Sequence, residues 1–287
     1  MKKYCEKCGH RLKHGLCPIC DQDQLIQKPP YFWYSFLLVI LTLSILVKTP
    51  LKYPMQSFIN SVFNASITTI SNKEYEDVTY KLAKSGQEVT VMLSAGNYVV
   101  GQDLPEGLYR VENNQGFGAI WIDDDTNDIH INKSLDNKDE ADGSYFSYYL
   151  ENVRLYQGAR IQIFTNSMTF TTSNGQVDKW EERETNPNTE TFEINHSVMI
   201  GDTIPAGTYD ILVIEGSGSI SSEKSWNYGI SESMTADKED TYDVYRYNNV
   251  ELKNEEKLTL EKEVDCESFK IQLIPSNGVR KGNNDEY

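Results

Sequence analysis

The sequence predicts a mainly β chain built from an N-terminal zinc ribbon, one transmembrane helix and two tandem antiparallel β-sandwich or roll domains. Three observations carry that reading. Two Cys-x-x-Cys pairs fall in the first 20 residues, an uncharged stretch runs from Tyr31 to Val47, and one pattern recurs at an offset of 100 residues farther along. The 287 residues divide into a ribbon at 1–24, a linker at 25–30, a span at 31–47 and a stalk with a short helix at 48–88. A first β domain follows at 89–177, a linker at 178–191, a second β domain at 192–279 and a disordered tail at 280–287.

Cys5, Cys8, Cys17 and Cys20 have the spacing of a tetrahedral thiolate site, in which each knuckle turns two sulfurs toward one ion. Gly9 eases the first knuckle and Pro18 stiffens the second. So short a segment builds no hydrophobic core, so a structural Zn2+ supplies its folding free energy. Four cysteines close the shell and leave no open position for catalysis. His10 and His14 lie beside them as loop residues, although either could replace a sulfur.

The segment YFWYSFLLVILTLSILV (31–47) is 17 residues without a charge. As a helix it would extend about 26 Å, the lower end of what crosses a bilayer core. Prolines at 29, 30 and 50 bracket it, and Tyr31, Phe32, Trp33 and Tyr34 form an aromatic belt at one end. Residues 1–54 hold 8 Lys/Arg against 3 Asp/Glu, and the remainder holds 19 against 40. By the positive-inside rule the N-terminus is cytosolic and the β domains are extracytoplasmic, a single-pass placement in the cell membrane. The cysteine distribution agrees, because only Cys266 lies beyond the span. A net charge of −16 speaks against nucleic acid as a partner.

Beyond the stalk, whose residues 73–84 read as a short helix, the repeat defines the rest. Gly101–Tyr109 (GQDLPEGLY) aligns with Gly201–Tyr209 (GDTIPAGTY), and Gly116-x-Gly118-x-Ile120 aligns with Gly216-x-Gly218-x-Ile220. Asn152–Leu155 and Asn249–Leu252 continue the match at an offset of 97. Pro105 and Pro205 preset a turn, and Gly107 and Gly207 follow it two residues later. Tyr109-x-Val111 and Tyr209-x-Ile211 then alternate with the period of a half-buried strand. The long period predicts two separate beads joined by the charged segment 178–191.

Candidate chemistry in the β region is sparse. Asp123, Asp125 and Asn127 have the spacing of a calcium loop, but Asp128 and Ser134 stand where such a loop needs Gly and Glu, so a solvated turn is the better reading. Ser221-x-x-Lys224 has no accompanying motif in order, and His130 and His196 have no nucleophile at a useful spacing. The 18 tyrosines could stack on sugar rings, although tyrosine is also an ordinary strand residue.

The order of parts resembles the zinc-ribbon membrane proteins of Gram-positive bacteria. The segment Gly101–Tyr109, with its variant Gly201–Tyr209, resembles a G-x-D-[IL]-P-x-G-x-Y repeat of envelope proteins and lipoproteins. The second copy has Asp202-Thr203 where the first has Gln102-Asp103. The resemblance implies an extracytoplasmic module and brings no catalytic residue. The reading from sequence is therefore a cell-envelope binding or scaffolding protein rather than an enzyme. Its outer domains would engage wall polymer or another envelope protein, and its ribbon a cytosolic protein. An envelope stress sensor and a wall-polymer hydrolase are the alternatives.

Overall fold

The computed structural model describes residues 69–137, 146–223, 227–240 and 242–281. The first repeat contributes eight strands: β1 (Gln87–Leu93), β2 (Gly96–Val99), β3 (Gly107–Gln115), β4 (Gly118–Asp124), β5 (Ile129–Leu135), β6 (Tyr149–Leu155), β7 (Arg160–Ile163) and β8 (Ser167–Gly175). They pair antiparallel in two sets, β1-β8-β3-β6 and β2-β7-β4-β5. Two four-stranded sheets connected in that order make a jelly roll.

The second repeat has the same plan with one strand fewer. Its elements are β9 (Phe192–Ile194), β10 (Val198–Met199), β11 (Gly207–Ser222), β12 (Ser231–Thr235), β13 (Arg246–Leu252), β14 (Lys257–Lys262) and β15 (Phe269–Pro275). The two sets are β9-β15-β11-β13 and β10-β14-β11-β12. The 16-residue β11 does the work of β3 and β4 together, passing from one sheet into the other. It bends where its pairing with β15 shifts between Val213 and Glu215, beside Gly216 with φ 72°. A side chain at Gly216 would strike the carbonyl of Ser268, so the bend requires glycine.

The repeated motif builds a corner. Gly101 N–H donates to Leu104 O (2.6 Å) and Gly201 N–H to Ile204 O (2.8 Å). The buried Tyr109 hydroxyl donates to Pro105 O (2.6 Å) and that of Tyr209 to Pro205 O (2.8 Å). Each tyrosine thereby ties its strand to the turn that precedes it. Both units also carry a bulge, at Tyr109/Val111 and Tyr209/Ile211, opposite a left-handed asparagine: Asn152 (φ 59°) or Asn249 (φ 57°). Two apolar cores result, one per repeat, centred on Tyr109, Ile122 and Phe170 and on Tyr209, Ile220 and Ile271.

Several expectations from sequence are corrected. The repeats are not separate beads. Asn248 of β13 pairs in parallel with Gly96 of β2, joining sheets of both repeats, and Ala95 is buried in the second core. The segment 178–191 is packed rather than free: Glu184 bridges Val279, and Asn186 donates to Thr208 O (2.8 Å) and Ser276 O (3.1 Å). Arg280 and Lys281, read as the start of a disordered tail, bond to Glu251 and to Gln102. The helix expected at 73–84 is a single 3-10 turn, Asn72–Tyr75, because Tyr75 instead enters the first core and donates its hydroxyl to Asn152 O (2.9 Å).

The zinc ribbon, the transmembrane helix and the single-pass membrane placement built on them gain no support. Among the described residues no helix is long and apolar enough to cross a membrane, and no group of three or more His, Cys, Asp or Glu is placed to hold a metal ion. The described chain satisfies its backbone in strand ladders and turns its apolar side chains toward two internal cores. The expected ligands Cys5, Cys8, Cys17 and Cys20 and the span at 31–47 lie outside the described residues.

Candidate binding cleft between the repeats

Alternation in β4 and β7 fixes one wall of the site. Ile120, Ile122, Ile161 and Ile163 point into the first core, so Trp121, Gln162 and Phe164 face the other way. The join between β2 and β13 brings the second repeat against this outer face. Ser231 and Glu232 of β12 and Tyr247 of β13 complete a cleft of about 390 Å3. The Trp121 and Phe164 rings lie 4.9 Å apart at 59°, with Trp121 still 40% exposed. Tyr247 is buried, its hydroxyl 3.4 Å from Asn97 Oδ1, and Gln162 Nε2 donates to the same oxygen at 3.0 Å.

Glu232 stands out in this setting. It is half-buried, yet it makes no hydrogen bond or ion pair among the described residues. Burial in the apolar cleft, with a smaller push from the charge of Asp243, raises its pKa from 4.5 to about 8. The folded protein thus holds a proton there that the unfolded chain releases above pH 4.5. Stability contributed by this group is full below that value and falls as pH rises through 8. Glu232→Gln is expected to be more stable than the parent at pH 9 by on the order of 3 kcal/mol. At pH 4.5 the two should differ by less than about 1 kcal/mol. Urea unfolding midpoints at both pH values check this; equal midpoints at pH 9 would show that the carboxyl is not desolvated.

A larger cavity of about 540 Å3 lies beneath residues 75–84, and several groups in and around its wall are hydrogen-bonded. Tyr80 OH donates to Glu106 Oε1 (3.1 Å), Lys179 Nζ donates to Tyr80 OH (3.2 Å), and Asn174 Nδ2 donates to Ala83 O (2.7 Å). These bonds fasten the segment down.

The residues singled out from sequence are used structurally. Asp124 accepts from Thr126 N, Asn127 N and Asn127 Nδ2, closing the turn between β4 and β5. Asp123 pairs with Arg160 (3.1 Å) and His130 (3.1 Å), and its hydrogen bond raises the pKa of that histidine. Asp123 and Asp124 of the acidic run are thus held by partners within the protein. Ser221 lies within β11 opposite Ser231 and Thr259, Lys224 lies outside the described residues, His196 contacts Asn195, and Cys266 lies 3.5 Å from Ser217 Oγ. Sequence reasoning did not select Trp121, Phe164 or Glu232, and it reached Tyr247 only as one of the tyrosines able to stack on sugar rings. One signal was present: Ile120-x-Ile122 already turns Trp121 away from its own core, leaving a large aromatic side chain without a place inside.

No family model and no curated protein matches the chain. The solved structure of cAMP-bound PfPKA-R (141–441) is similar at 9% identity over 72% of this chain and 74% of that one, with a TM-score of 0.17. At that score the likeness passes nothing to this chain about ligand or activity.

Proposed function

We propose that this protein is a binding or scaffolding protein rather than an enzyme, and that its ligand seats in the cleft between the two jelly rolls. The observation that carries this reading is a half-buried carboxyl, unpaired among the described residues and set among three aromatic side chains, at a place where both repeats contribute walls. Ligand sites are concave and mostly apolar, with a few polar groups that fix orientation, and about 390 Å3 falls within their usual range. A volume of this size admits one ring or one side chain of a larger molecule, so a polymer or protein partner would engage by a single inserted group. A thermal-shift screen of the full chain against small amines, sugars and nucleotides tests the reading. The expected hit raises the melting temperature of the parent and not of Trp121→Ala, and mass spectrometry recovers it unchanged. Conversion of the hit to product would overturn the non-enzymatic part.

A further inference from the structure

We infer that the group seated in the cleft is an alkylammonium head, primary or methylated, held by Glu232 as counter-charge against the faces of Trp121 and Phe164. This rests on the cleft being the ligand site, and it goes further by naming the chemistry of the ligand. A carboxyl half-buried among aromatic rings, with no ion pair to a cation among the described residues, is a site short of one positive charge. Among the described residues, Asp243, whose charge acts on Glu232, and the hydroxyl of Tyr247, on which Glu232 acts in turn, are its titratable neighbours, and neither supplies that charge at neutral pH. Aromatic faces attract cations, most strongly where water is excluded.

The rest of the lining narrows the cation. A calcium ion takes 6–8 oxygen ligands, and here, among the described residues, Glu232, Gln162, Tyr247 and Ser231 are the only lining residues with oxygen-bearing side chains, one carboxylate among them. A guanidinium would bring five donors to the same few acceptors. A primary ammonium brings three, and a methylated one replaces donors by methyl groups that pack on the rings. Binding must ionise Glu232, so a proton leaves as the cation enters, and affinity rises with pH until the carboxyl is already charged.

Calorimetry on the full chain with butylammonium and tetramethylammonium tests this, with 3,3-dimethyl-1-butanol as a neutral probe of similar shape. We expect ammonium binding at least about tenfold tighter than the neutral probe, and about tenfold tighter at pH 7 than at pH 6, with Glu232→Gln removing both differences. Which of the two cations binds better tells a primary head from a methylated one. Neutral and cationic probes binding equally, ammonium affinity unchanged in Glu232→Gln, or no ammonium binding up to about 10 mM would each overturn the inference. The cleft reading falls separately, if Trp121→Ala leaves intact the binding of every probe that does bind.

Discussion

Asn97→Asp is expected to destabilise the protein by about 4 kcal/mol and to separate the unfolding of the two repeats. Asn97 is fully buried at the join. Its Nδ2 donates to the carbonyls of Tyr228 (2.9 Å), Gly229 (2.9 Å) and Asn249 (3.3 Å), all in the second repeat. Its Oδ1 accepts from Gln162 Nε2 (3.0 Å) and lies 3.4 Å from the Tyr247 hydroxyl. One amide therefore ties two strands of the first repeat to three backbone groups of the second. An aspartate would set an acceptor-only oxygen against those carbonyls and bury a charge as well. Urea unfolding followed by circular dichroism and by tryptophan fluorescence should give coincident curves in the parent and offset curves in the variant. Coincident curves within about 1 kcal/mol of the parent would show that the repeats are held together elsewhere.

Arg183→Ala is expected to cost about 3–5 kcal/mol, although the residue lies in a segment that looks like a solvated connector. The guanidinium grips Asp103 with both arms, Nε to Oδ1 and Nη2 to Oδ2, each at 2.8 Å, and reaches Asn97 O at 3.3 Å. The two side chains are only 11% and 12% exposed. Burial works against the charge of Arg183, but the bonds and charge of Asp103 prevail and raise its pKa. Removing the arginine leaves Asp103 with the Val99 N–H (2.7 Å) and no counter-charge. Arg183→Lys should recover only part of the loss, since an ammonium cannot make the two-pronged bond. Adding Asp103→Asn to Arg183→Ala should restore a further share by removing the orphaned charge. If the single and double variants melt together, the cost has another origin.

What was legible from sequence follows the range of the forces involved. The repeat, the Pro-x-Gly corner and the alternation of Tyr109-x-Val111 and Tyr209-x-Ile211 are local, and the structure places all of them in matching strands and turns. The join was not legible. Gly96 and Asn97 look like turn residues, and nothing near them shows that a backbone some 152 residues away will pair with them. Arg183 sits among Glu181, Glu182 and Glu184, where a buried ion pair has the composition of an exposed one. The short helix expected at 73–84 failed because burial of Tyr75 outweighs a weak local propensity. The cleft was half legible: Trp121 was set outward by its neighbours, whereas Glu232 gains its character only from walls that another repeat supplies.

The hold of Lys281 on the first repeat has a consequence for biosynthesis. Its N–H donates to Gln102 Oε1 (3.1 Å), within the first corner motif, and its ammonium pairs with Glu181 (2.8 Å). On the ribosome, the leading jelly roll emerges long before these late residues. It must stand with that flank bare until the second jelly roll has also been made, so a stall or truncation in β15 leaves damage in the repeat that precedes it.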